Sequence, residues 1–102
     1  METEIWHFHD VERKTVSVAT VNASKQKNGP ISVWGTVNVT SAKGTRSFST
    51  TPGSFANRGD TISDAMRMYR GNHMRKQGLE GEVCDFATYE KFKKLYAGKA
   101  EK

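Results

Sequence analysis

A chain of 102 residues with a net charge of +5 is the size of one domain, 1–102, with a modest core. Five Phe, three Tyr and two Trp argue against disorder, and no run nears the roughly 18 apolar residues of a membrane span. The acidic start METEIWHFHD lacks the regions of a signal peptide and Cys84 is the only cysteine, so an intracellular, cytoplasmic chain without membrane contact is expected.

The first half reads as strands. Residues 4–9 (EIWHFH) are aromatic-rich and suit a short first strand, with 1–3 expected to fray. In 15–22 (TVSVATVN) Val16 and Val18 share a face, and the alternation then slips at Ala19–Val21, the signature of a bulge. Residues 23–30 form a polar loop ending in Gly-Pro. The clearest strand is 31–40: Ile31, Val33, Val37 and Val39 share one face, and Ser32, Trp34, Thr36, Asn38 and Thr40 the other. The turn SAKG, ending in Gly44, leads to a fourth strand, TRSFST.

The period then changes. After the loop TTPGSFANRGD, Thr61 followed by Asp64 forms a variant capping box, so a helix is expected over about 61–77, with Gly78 as its C-cap. Ile62, Ala65, Met66, Tyr69 and His73 form its apolar stripe, with Arg67, Arg70 and Met74 opposite. LEGEVC reads as a linker or short strand. A second helix over 86–97 carries Tyr89, Phe92, Leu95 and Tyr96 on one face, with Lys91 and Lys94 pointing away, and 98–102 are expected to fray.

Strands followed by helices predict an α+β fold: an antiparallel sheet of three to four strands with both helices packed on one face. The expected core is Val33, Val37, Val39, Phe48, Ile62, Met66, Tyr69, Phe92 and Tyr96.

Charge is segregated along the chain. Residues 1–12 hold four acids and no Lys or Arg. Residues 13–78 hold eleven bases against two acids, a net of +9, and 79–102 balance. Clustered positive charge attracts polyanions, above all phosphate backbones. The candidate binding residues are Lys25, Lys27, Lys43 and Arg46 at strand ends, Arg58 in the loop, and Arg67, Arg70, Arg75 and Lys76 on the first helix. Trp34, on the polar face of the best strand, has two readings: a stacking or anchoring aromatic, or a core residue covered by the first strand or the last helix.

Other constellations point to no chemistry. His7, His9, His73 and Cys84 do not show a ligand spacing, and His73 falls on an apolar stripe, so no metal or cofactor is expected. Glu82 and Asp85 beside Cys84 oppose a thiolate, so the cysteine reads as a small hydrophobe. Glu80, Glu82 and Asp85 read as an acidic loop. Arg58-Gly59-Asp60, Asn22-Ala23-Ser24 and Asn38-Val39-Thr40 spell adhesion and glycosylation motifs that have meaning only in an exported protein.

Residues 31–79 resemble the WGR domain, a DNA-break-associated module, in Val33-Trp34-Gly35, in Gly44 before a Phe-containing strand, in a helix containing Ala65 and in the ending Lys76-Gln77-Gly78. The resemblance covers about half the chain and implies DNA association. Thr36 stands where that motif has its Arg, which removes the contact such an Arg would make.

The expectation is a small, basic, non-enzymatic nucleic-acid-binding protein with little sequence specificity, as monomer or homodimer. The alternative is an accessory or inhibitor, of the kind phages and mobile elements encode, docking its basic face on an acidic protein surface.

Overall fold

The structure, a computed structural model, describes residues 1–25, 27, 29–55, 61–73, 75 and 81–100. Among them the chain forms β1 (Glu2–Asp10), β2 (Thr15–Lys25), β3 (Ile31–Ser41), β4 (Gly44–Ser49) and β5 (Gly53–Phe55). There follow α1 (Ile62–Met68), continued by a π-helical turn (Tyr69–His73), then β6 (Glu82–Cys84) and α2 (Phe86–Ala100). The fold is α+β. The strands lie in the order β4–β3–β2–β1–β6, all antiparallel, and β5 follows β4 along the same outer edge of β3.

Six strands stand where three to four were expected, because the short segments 53–55 and 82–84 each find an edge to pair with. The first strand also starts earlier: Glu2 and Thr3, expected to fray, pair with Ala23 and Asn22.

The expectation of both helices on one face is corrected by the register. Trp6, Phe8, Ala19, Val21, Ala23, Val33 and Val37 lie on one side of the sheet and pack with Ala65, Met66 and Tyr69 of α1 and its π-turn. Val16 and Val18 project from the other side, and Tyr89, Phe92 and Tyr96 of α2 close over Val16 there. The helices therefore cover opposite faces. β2 is consequently buried on both sides over part of its length, and this is what makes its alternation slip. No bulge is present: residues 15–23 pair one to one with β1, and 16–25 with β3.

α1 approaches the sheet closely because small residues lie beneath it. Ala19, Ala23 and Gly35 are all buried. A Cβ on Gly35 would lie 2.3 Å from the Thr20 carbonyl oxygen. Thr50 clamps the same residue: its hydroxyl accepts from the Gly35 N–H (2.8 Å) and donates to the Gly35 carbonyl (3.1 Å), while its own N–H donates to that carbonyl (2.8 Å). The β3–β4 hairpin closes through Ala42 and Lys43 onto Gly44, whose φ of +114° is one that a side chain opposes.

Each helix has a carboxylate at its start. The expected capping box forms: Thr61 Oγ1 accepts from the Asp64 N–H, and Asp64 Oδ2 accepts from the Thr61 N–H, both at 3.1 Å. Asp85 caps α2, accepting from the Thr88 N–H at 2.8 Å. These hydrogen bonds, first those from Thr61 and from Thr88, hold both carboxyls below their ordinary pKa. α1 passes into the π-turn at Tyr69, Arg75 is again helical, and the expected end at Gln77 and Gly78 lies outside the described residues. Leu95, placed on the buried face of the second helix by its periodicity, is 50% exposed.

Gly35→Ala is expected to destabilise the fold by about 1–3 kcal/mol through overpacking against backbone. Thr50→Val should cost about 1–3 kcal/mol by leaving the buried Gly35 N–H unpaired. Urea unfolding would show lower midpoints at unchanged slope. On the acid side, the depressed carboxyls contribute stability that is present above their ordinary pKa. It is lost as pH falls through the folded pKa, and Asp85→Asn should make that decline shallower.

Candidate nucleic-acid interface

α2 covers only part of its face of the sheet. Where it docks, His7 and His9 turn toward it: His7 lies 5.3 Å from the Phe86 ring and 4.8 Å from Tyr89, and His9 stacks on Phe92 at 3.9 Å. His9 Nε2 hydrogen-bonds the Tyr96 hydroxyl at 2.9 Å. The same-face His pair thus serves as a seat for aromatic rings. Among the described residues no three metal-ligating side chains come together. The side chain of His73 lies outside the described residues. Cys84 is half-buried against the α2 cluster, and burial, then the charge of Asp85, pushes its thiol pKa up, which disfavours the nucleophilic thiolate.

The rest of that face is an uncharged strip. Thr36, Asn38, Thr45, Ser47 and Ser49 are exposed on β3 and β4, and Thr20 on β2. Cross-strand pairs order it. Ser47 Oγ donates to Asn38 Oδ1, and Thr3 Oγ1 donates to Asn22 Oδ1 at 2.8 Å. With each amide oxygen occupied, the NH₂ groups of Asn22 and Asn38 remain as donors. Trp34 sits on this strip opposite Asn22 and is half-buried, intermediate between the two readings of its sequence position. Neither the first strand nor α2 makes it core. The other tryptophan, Trp6, is buried on the α1 face and donates to Glu4 at 2.9 Å.

The strip runs along β3, whose eleven residues span roughly 35 Å at about 3.4 Å each. Cations mark its two ends. Lys27 is exposed in the turn that follows β2, whereas Lys25, opposite Ile31 at the end of β2, projects from the α1 face. Lys43 is exposed in the turn at the far end, where it also borders a cleft of about 340 Å³ that Thr15, Val39, Ser41 and Arg46 line from the α1 face. Arg13 and Lys14 of the β1–β2 turn lie at the same end, and Arg13 is 3.9 Å from Asp10.

The remaining predicted residues are not gathered there. Arg46 lies opposite Val39, so it projects from the α1 face, where it borders the cleft. Arg67 forms an ion pair with Asp64 at 2.5 Å, and the Arg70 guanidinium lies 5.5 Å over the Trp6 ring. The periodicity that placed Arg70 on the outer side of its helix missed this contact. Arg75 is exposed. Arg58, Met74 and Lys76 lie outside the described residues. Sequence reasoning overlooked Asn22 and Ser47; the signal available was the hairpin pairing of their strands with 31–40, which sets them opposite Trp34 and Asn38.

Tyr96→Phe should cost about 0.5–1.5 kcal/mol at neutral pH through the lost bond to His9. Burial, then Asp10, raises the pKa of this phenol. The fold therefore favours its neutral form, and that contribution is complete below the ordinary tyrosine pKa and lost as pH rises through the folded one. The stability difference between parent and variant should accordingly narrow at alkaline pH in urea titrations.

Comparison with protein-family models, with curated proteins and with solved structures returns no match.

Proposed function

We propose that the protein is a small, non-enzymatic nucleic-acid-binding module with little sequence specificity, and that the strip is its contact surface. The observation that carries this reading is the placement of Lys27 and Lys43 at opposite ends of an open, uncharged face bearing Trp34 and the amide donors of Asn22 and Asn38. Ammonium groups at the ends neutralise phosphates and release counterions. Amides and hydroxyls between them are neutral donors to phosphate oxygens, which position a strand without reading its sequence. The indole supplies a surface on which a base stacks. Arg75 and the cleft at Lys43 and Arg46 extend the positive field beyond the strip.

One observation favours docking on a protein instead: Ile5, on the same face, is 59% exposed, an apolar group that a protein partner covers better than a phosphate backbone does. A pull-down returning one stoichiometric protein after nuclease treatment would favour that reading.

Titration with labelled single- and double-stranded DNA and RNA at two salt concentrations tests the proposal. Affinity should fall steeply with salt, with a log–log slope of about −0.9 per neutralised phosphate on duplex and about −0.7 on single strands. Lys27→Ala and Lys43→Ala should each weaken binding uniformly across sequences and reduce the slope by about one. Trp34→Ala should cost about 1–3 kcal/mol. An affinity flat in salt would sink the reading.

A further inference from the structure

The sheet ends in two unlike edges. β4 is the last strand on one side, and among the described residues its six positions pair only with β3. On the other side β6 pairs with His7–His9 alone, so the outer edge of β1 at Glu2–Trp6 has no strand beside it among the described residues. An open edge presents a row of backbone N–H and C=O groups that another strand can complete.

The edges carry opposite charge. Arg46 lies within β4, and Lys43 lies in the turn at its start; both are exposed. Glu2 and Glu4 lie on the open part of β1, and Asp10, Glu12 and Glu82 surround a hollow of about 370 Å³ farther along that side. The register puts the facing charges on one face. Arg46 lies opposite Val39, Val39 opposite Ser17, and Ser17 opposite Phe8, so Arg46 shares the face of Phe8 and hence of Glu2 and Glu4.

We propose that β4 of one copy pairs antiparallel with the Glu2–Trp6 edge of β1 in a second copy, continuing the sheet head to tail. β4 on β4 would set Lys43 and Arg46 near their duplicates, and β1 on β1 would do the same to Glu2 and Glu4; like charges across a strand pair destabilise it. β4 on β1 joins opposite charges. The antiparallel direction keeps both α1 faces on one side of the joint sheet, which is the arrangement that brings Arg46 to the glutamates. The incoming β4 lies in line with β6 along β1, as β5 already lies in line with β4 along β3. Because the two surfaces differ, each added copy leaves a free edge at either end, so growth passes the dimer.

Sedimentation velocity of the nuclease-treated protein across a wide concentration range, at low and high salt, tests this. The average mass should rise continuously past that of a dimer and fall with salt. Arg46→Glu and Glu2→Lys should each raise the half-association concentration about tenfold. Mixing the two variants, whose edges are again complementary, should restore association. Both positions are exposed, and thermal melts matching the parent would confirm intact folds. A monomer at every concentration, or assembly that stops at a dimer and survives Arg46→Glu, would overturn the proposal.

Discussion

The structure depends on β2 being paired along both edges while its side chains are divided between two faces. Ala19, Val21 and Ala23 supply the floor for α1, and Val16 and Val18 supply the floor for α2. A strand in that position holds two separate apolar clusters apart, and each helix then needs only a few aromatic or sulfur-bearing side chains to close its own. The burial of Tyr69 illustrates the coupling. Its hydroxyl donates to the Thr51 carbonyl at 2.7 Å, and a Cβ on Gly53 would come within 2.9 Å of its ring. The chain between β4 and β5 is thereby tied to the π-turn, and the outer edge of β3 to the helix above it.

That division also creates the candidate site. A single helix of fifteen residues cannot cover strands of nine to eleven residues from end to end when it docks toward one end of them. The uncovered remainder must be compatible with water, and β3 meets this with Ser, Thr and Asn on alternate positions, opposite the valines. Hydroxyl–amide pairs across the strands satisfy part of its hydrogen-bonding capacity internally. What is left over includes the amide N–H donors of Asn22 and Asn38 and hydroxyls that can donate, and such a surface between cationic ends suits an anionic polymer.

Much of the fold was legible because local rules dominate where one face is buried. The alternation of 31–40, the turn at Gly44 and the capping box at Thr61 each follow from residues within a few positions of one another. The errors occur where distant parts of the chain decide. Helices on opposite faces cannot be told from helices on one face when the strand patterns are short, and the double burial of β2 imitates a bulge. β6 is three residues long and half-exposed or exposed throughout, so only its pairing with His7–His9 makes it a strand. His7 and His9 lie on one face of β1, an arrangement that chelation and aromatic packing can both use. The rings of Phe86, Tyr89 and Phe92 on α2 pack against them.

Charge was the strongest sequence signal and the least informative about place. Among the described residues the cations of 13–78 are spread over the turns at both ends of the sheet, the strand positions Lys25 and Arg46, and the helical segment 62–75, and two of them are spent on internal contacts, Arg67 on Asp64 and Arg70 on Trp6. The ion pair is exposed and contributes little to stability, but it removes Arg67 from the field available to a ligand. The acids of residues 1–12 fall mostly on the edge strand β1, far across the sheet from β4. A linear segregation of charge has thus become a polarity across the sheet, perpendicular to its strands. Such a polarity orients any charged partner, and it acts on a second copy of the chain as readily as on a nucleic acid.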